Sequence, residues 1–89
     1  MERQTSLPTK YELGDHFVAQ MMKKYNPDKK YRLDECPYVD TIYDRGDGIP
    51  LYVLYIKSDP EYEATVAESV IDELYIMLTD DMLDARTDA

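Results

Sequence analysis

Tyr38-Val39-Asp40-Thr41-Ile42-Tyr43-Asp44-Arg45-Gly46-Asp47-Gly48-Ile49-Pro50-Leu51-Tyr52-Val53-Leu54-Tyr55-Ile56-Lys57 is the stretch whose reading decides the fold. Two runs rich in β-branched and aromatic residues flank Arg45-Gly46-Asp47-Gly48. Glycine accepts the positive φ that tight turns need, so the pattern predicts an antiparallel hairpin. In the second run the odd set (Leu51, Val53, Tyr55) and the even set (Tyr52, Leu54, Ile56) are both apolar or aromatic. A strand apolar on both faces is covered on both faces. Helices of the same chain supply one cover, and a second protein is a candidate for the other.

Downstream, Asp59 suits a helix N-cap, Pro60 the first helical position, and Glu61 and Glu63 the first turn, where the helix dipole favours anions. The pattern predicts a long helix over about residues 60–80. Its apolar face is Ala64, Val66, Ala67, Val70, Ile71, Leu74, Tyr75, Met77 and Leu78, opposite Glu61, Thr65, Glu68, Ser69, Asp72, Glu73, Thr79 and Asp80. Upstream, Thr9-Lys10-Tyr11-Glu12 has the form of a capping box. A first helix over about residues 10–25 follows, with Tyr11, Phe17, Val18, Met21, Met22 and Tyr25 as its stripe; Gly14 leaves open a start at Asp15. Residues 29–35 read as a short edge strand or a loop.

The expected architecture is therefore α+β: an N-terminal helix, a two- or three-stranded antiparallel sheet, and a long acidic C-terminal helix packed on the sheet. Eighty-nine residues make one small domain, 1–89, with residues 1–8 and 83–89 expected to be flexible. A chain this short buries only about 60–65% of the surface it exposes when unfolded, which leaves little room for a large internal cavity.

Charge narrows the function. The chain carries 19 acidic and 10 basic residues, net −9. Residues 1–57 balance, so the whole excess lies in residues 58–89, where Arg86 is the one base. Direct binding of nucleic acid is not expected, because it depends on Lys and Arg displacing counterions from phosphate. No apolar run approaches the roughly 18–20 residues of a membrane helix, so no membrane partner is expected. The N-terminus lacks the pattern of a secretory signal, and the single Cys36 has no partner for an internal disulfide; a reducing cytoplasm is the expected compartment.

Catalytic and metal-binding parts are few. His16 is the single imidazole, no serine sits in a nucleophile-elbow pattern, and no Cys-x-x-Cys or His-Glu-x-x-His spacing occurs. The Asp44–Gly48 turn lacks the Asp-x-Asp-x-Asp-Gly core of a calcium loop. The expectation is a non-enzyme without cofactor or metal. Cys36 reads as a small buried hydrophobe, His16 as a packing residue, and Met21, Met22 and Met77 as core fillers.

What remains is the acidic face. On the expected helix, Glu61, Glu68, Asp72, Glu73 and Asp80 recur at steps of roughly 6 Å for four residues and 10 Å for seven. Asp81 and Asp84 continue the row, and Asp40, Asp44 and Asp47 of the hairpin extend it. Such a row imitates a line of phosphates, with tyrosines as apolar contacts. An ordinary solvated acidic helix is the competing reading.

The order Thr41-Ile42-Tyr43-Asp44, acidic turn, apolar strand, Ser58-Asp59-Pro60-Glu61-Tyr62 resembles the Thr-x-Tyr-Asp … Ser-Asp-x-Pro-Glu-Tyr run of the phage uracil-DNA glycosylase inhibitors. Those are small acidic proteins that mimic DNA, and their contacts come largely from an earlier acidic edge strand and an apolar pocket. Asp34-Glu35 is the nearest counterpart here. After Tyr62 the family continues in strands, whereas this chain is read as helix. The resemblance implies a phage or mobile-element inhibitor of a basic nucleic-acid enzyme: a DNA glycosylase, a restriction nuclease or a CRISPR-type nuclease. An immunity protein or antitoxin covering a basic toxin, and a structural subunit forming a homodimer through its Tyr-rich strand, are the alternatives.

Overall fold

The hairpin forms where the glycines place it: β3 (Tyr38–Asp44) pairs antiparallel with β4 (Pro50–Ile56), and Gly46 and Gly48 take φ of 93° and 81°. The structure, a computed structural model, describes residues 2–84. Around this hairpin lie β1 (Glu2–Gln4), β2 (Phe17–Ala19), α1 (Gln20–Tyr25), β5 (Asp59–Ala67), α2 (Glu68–Leu74) and β6 (Tyr75–Met77). Short 3-10 turns occupy Leu33–Glu35 and Asp80–Met82. The main sheet has the order β1-β3-β4-β5, with β1 parallel to β3, and β2 pairs with β6 in a small second sheet.

The two long helices expected from periodicity are absent, and the domain is sheet-rich, about 41% strand and 23% helix. In place of a helix over 60–80 the chain forms β5, the seven-residue α2 of about two turns, and β6. The reason lies in β4. A strand apolar on both faces belongs in the middle of a sheet, where both of its edges are paired. The tight turn at Lys57-Ser58 lets the next segment fold back onto the open edge. Glu61-Tyr62-Glu63-Ala64-Thr65-Val66 alternates strictly, with Tyr62, Ala64 and Val66 half-buried and Glu61, Glu63 and Thr65 exposed, which is the period of a strand. Its acids have no i,i+4 base to support a helix. Pro60, which lacks an N–H, sits near the start of an edge strand, where that donor is dispensable.

The N-terminal helix fails for a similar reason. Gly14 adopts φ 88°, its N–H donates to the Val39 carbonyl at 2.9 Å, and the Val39 N–H donates to the Asp15 carbonyl at 2.9 Å. Backbone groups that a helix would satisfy internally are taken by β3 instead. The Thr9 hydroxyl accepts from Arg3 at 2.9 Å rather than capping a helix, and Asp15 accepts from the Glu12 N–H at 2.9 Å. Helix begins only at Gln20. Residues 1–8, expected to be a loose arm, contribute β1; of the expected flexible tail, Leu83 bridges to Tyr31, and residues 85–89 lie outside the described residues.

The main core is Tyr11, Phe17, Val39, Ile42, Tyr52, Leu54 and Ile71, joined by half-buried Leu13, Tyr62, Ala64, Val66 and Tyr75. Tyr11 meets Phe17 and Tyr52 edge-on, with ring centroids 5.2 and 5.7 Å apart. Val39 and Ile42 are three residues apart, a spacing that regular alternation cannot put on one face. A register shift between Val39 and Thr41 resolves this: Asp40 is an extra residue in β3, and Ile42 is returned to the core. A second cluster of Val18, Tyr31 and Cys36 packs with Ile76, Leu78 and Met82. Within it the Tyr31 hydroxyl is buried with no hydrogen-bond partner among the described residues, a cost of about 1–3 kcal/mol. Cys36 is buried, as its reading as a small hydrophobe requires, and burial raises its thiol pKa. No helix is long and apolar enough to cross a membrane.

Candidate acidic and aromatic interface

The row of acids expected along one helix is not formed, because its members stand on different elements. Glu61 is exposed on β5, in the three residues 60–62 that loop out between the Ile56↔Asp59 and Tyr55↔Glu63 pairs. Glu68, Asp72 and Glu73 share α2, where Ile71 points into the core. Asp80 and Asp81 lie in the last 3-10 turn, and Asp84 follows, its N–H donating to the Tyr31 carbonyl at 2.8 Å.

Several of these carboxylates already have work within the fold. Asp72 accepts from Lys10 at 2.9 Å and from the Tyr11 hydroxyl, and those two bonds, Tyr11 first, hold its pKa below the usual aspartate value. Burial, then the Asp72 bond, pushes Tyr11 up to about 12. Asp81 is held low chiefly by the Thr79 hydroxyl, and its carbonyl accepts from Lys30. In the hairpin, Asp44 accepts from the Gly46 N–H and the Thr5 hydroxyl, each at 2.8 Å. Asp47 accepts from the Ile49 N–H and Arg45, each at 3.1 Å, and the Ile49 bond leads the lowering of its pKa. Asp44 and Asp47 thus shape the turn by closing loops onto their own backbone. Among the described residues no group of three or more His, Cys, Asp or Glu is placed to hold a metal ion.

A different grouping emerges on the outer face of the main sheet. Side chains alternate along β4, and Tyr52 and Leu54 point into the core, so Leu51, Val53 and Tyr55 point away from it. Paired residues share a face, which places Tyr43 beside Leu51, Thr41 beside Val53 and Tyr38 beside Tyr55 on one flank. Ala67, Thr65 and Glu63 stand beside the same three residues on the other flank. Leu51 and Val53 are each only 8% exposed, yet they belong to neither buried cluster; the longer side chains around them shut out water.

Two carboxylates edge this aromatic surface. The bulge puts Asp40 on the same side as Thr41, whose hydroxyl donates to it at 3.1 Å. The Tyr55 hydroxyl donates to Glu63 at 2.9 Å, and this bond leads the rise of the Tyr55 pKa, with Asp40 and Tyr38 adding to it through space. Next to them His16 bridges to Tyr38 and stacks on its ring at 5.3 Å, half-buried, with burial lowering its pKa. Of the acids singled out in the sequence, Asp40 belongs to this surface and Glu61 adjoins it. Tyrosines were expected as apolar contacts, but Glu63 was not assigned to the site; the period-two alternation of residues 61–66 was the signal that places it.

No family model, curated protein or solved structure matches this chain. After Tyr62 the chain continues as strand to Ala67 rather than as the expected helix.

Proposed function

We propose that this protein is a non-catalytic acidic inhibitor whose outer sheet face occupies the basic nucleic-acid-binding groove of a partner enzyme. The observation that carries the reading is the outer sheet face, where half-buried Tyr38, Tyr43 and Tyr55 stand beside Leu51 and Val53 and are edged by Asp40 and Glu63. Tyrosine is enriched in interface cores, where it offers large apolar area with a polar tip. Carboxylates around such a core select Lys and Arg, and the net charge of −9 speeds the encounter with a basic partner. From Ser58 through Asp84 there are nine acids and no base, so this stretch of chain carries the net negative charge of the protein. A basic toxin would be covered by the same chemistry.

Self-association through the Tyr-rich strand is less favoured. Both edges of β4 are paired, so a second copy would have to meet it face to face, bringing Asp40 and Glu63 of each copy toward the other.

The test is inhibition of a panel comprising a DNA glycosylase, a restriction nuclease, an RNA-guided nuclease and a basic ribonuclease toxin. Wild type should inhibit a panel member at low salt and weaken as ionic strength rises. The combined Asp40→Asn, Glu61→Gln, Glu63→Gln variant should inhibit about tenfold less, corresponding to about 1.4 kcal/mol. Unchanged inhibition by that variant, or a tight wild-type dimer in light scattering with no panel member inhibited, would sink the reading.

A further inference from the structure

Met21, Met22 and Met77, expected to fill the core, are exposed on α1 and β6, and single exposed apolar side chains of this kind need no explanation. The free edge of the main sheet does need one. β5 is the last strand in the order β1-β3-β4-β5, so only one of its two edges is paired. In an antiparallel ladder every second residue turns its N–H and C=O away from the partner strand. Among the described residues, no backbone–backbone hydrogen bond outside the β4 ladder engages residues 61–66.

Sheet edges are ordinarily blunted by short length, lysines, proline or bulges. β1, at the opposite edge, has three residues. β5 has nine and carries no lysine. Pro60 and the loop at 60–62 interrupt only its start, and from Glu63 to Ala67 its pairing with β4 runs without a shift. A row of unsatisfied backbone donors and acceptors is thus presented along a regular stretch of strand, and the group that satisfies such a row is another extended chain.

The side chains at this edge select the chain. Tyr62, Ala64 and Val66 pack against the main core yet remain half-buried, whereas Glu63 and Thr65 are exposed on the opposite face. An added strand lays one set of its side chains beside Tyr62, Ala64 and Val66 and the alternate set beside Glu63 and Thr65. Among the described residues Asp59, Glu61 and Glu63 make no ion pair. Lys57, in the preceding turn, acts instead on His16 beside Tyr38. We propose that the free edge of β5 takes an extended segment of a partner protein, paired through its backbone, in which apolar and basic residues alternate. The apolar set completes the rim of the core, and Lys or Arg of the other set meets Glu63, with Glu61 toward the start of the strand.

The same features argue against other occupants. Antiparallel pairing of residues 59–67 with those of a second copy in full overlap sets Glu63 opposite Glu63, and parallel pairing in register aligns Glu61 and Glu63 with their equals. Like charges so placed destabilise a ladder. The edge adjoins the outer face through Glu63, but the inference does not depend on the inhibitor reading, because a segment can pair with β5 without blocking any enzyme.

Amide hydrogen exchange of the full chain supplies the test. A synthetic peptide alternating Val and Lys should slow the exchange of amides within residues 61–66 and leave those of β1 unchanged. The same peptide with every backbone amide methylated keeps its side chains and charge and should bind at least about tenfold more weakly. The combined Glu61→Lys, Glu63→Lys variant should bind the unmethylated peptide about tenfold more weakly. Both side chains are exposed, so its unfolding midpoint should stay close to that of wild type, which separates lost binding from lost folding. Equal binding of the methylated peptide, equal binding of a peptide alternating Val and Glu, or slowing confined to β1 would each overturn the proposal, as would slowing that rises with protein concentration in the absence of peptide. Slowed exchange with no panel enzyme inhibited would uphold the pairing and sink only the inhibitor reading, and inhibition with no slowing by the peptide would do the reverse.

Discussion

On one face of β4, Tyr52 and Leu54 belong to the main core; on the other, Leu51 and Val53 are nearly as dry yet belong to neither buried cluster. The inner pair lies beneath Tyr11, Phe17 and Ile71, contributed by coil, β2 and α2. The outer pair stands among neighbours in its own sheet, Tyr43, Tyr55, Thr41 and Thr65 among them. The two kinds of burial differ in what they resist. An inner side chain is held by groups distant in sequence, whose loss opens a cavity, whereas an outer one is covered by side chains that rotate within their rotamer wells. That is how a surface can stay soluble alone and still present apolar area to a partner.

The comparison is put under greatest strain by truncation. Leu54→Ala should destabilise the protein by about 3 kcal/mol in urea unfolding, since the methyl groups lost leave a cavity under a rigid layer. Val53→Ala should cost about 1 kcal/mol, because its neighbours can settle into the space. Equal costs would show that the outer face is as enclosed as the core and would break the distinction.

Alkaline titration sharpens it. Burial leads the rise of Tyr11 and Tyr62 to about 12, whereas the Glu63 hydrogen bond leads the rise of Tyr55. Inner tyrosines therefore keep their protons longer in the folded chain than in the unfolded one. The stability they contribute is complete below the ordinary tyrosine pKa near 10 and is lost as pH climbs toward about 12. Ultraviolet absorbance should show these two ionising last, together with unfolding. Glu63→Gln should bring Tyr55 back toward its ordinary value and leave Tyr11 and Tyr62 in place.

Hydroxyl removal gives the smallest effects and opposite expectations. Tyr31→Phe, which deletes a buried hydroxyl without a partner among the described residues, should stabilise by up to about 1 kcal/mol. Tyr55→Phe, which deletes an exposed hydroxyl, should change stability by less than about 0.5 kcal/mol. A marked loss from Tyr31→Phe in thermal unfolding would reveal a bond that this hydroxyl makes.

The hairpin was legible because its signals were local. Gly46 and Gly48 mark the turn, and β-rich runs bound it. The doubly apolar character of residues 51–56 was read as cover on both faces, by helices on one and with a second protein as candidate on the other; the inner face is packed by Tyr11, Phe17 and Ile71 from coil, β2 and α2. Residues 59–67 were misread because Asp59-Pro60 is as good a helix start as it is an edge-strand start, and Ala64, Val66, Ala67, Val70 and Ile71 satisfy a helical stripe. Which pattern prevailed depended on the need of β4 for a second paired edge, a demand made from outside the segment. Misplacing that segment also misplaced the acids, so Asp40 and Glu61 were found as candidates without Glu63, which stands two residues from Glu61 on β5 and pairs with Tyr55. Met21 and Met22 were assigned to the core for the same reason: a helix from residue 10 would have turned them inward, and a helix from Gln20 does not.

The extra residue in β3 has a consequence for how this chain tolerates changes of length. Loss of the Asp40 codon would leave Val39, Thr41, Ile42 and Tyr43 in plain alternation, with Val39 and Ile42 still inward, so a one-residue deletion there should be absorbed by the ladder. Gain of one residue between Ile42 and Asp44 would instead invert everything after it and strand the turn out of phase with Pro50. The strand is thus asymmetric toward heritable change, forgiving of shortening at one point and intolerant of lengthening three residues away. What shortening would remove is not an element of the scaffold but a single negative charge beside Tyr55.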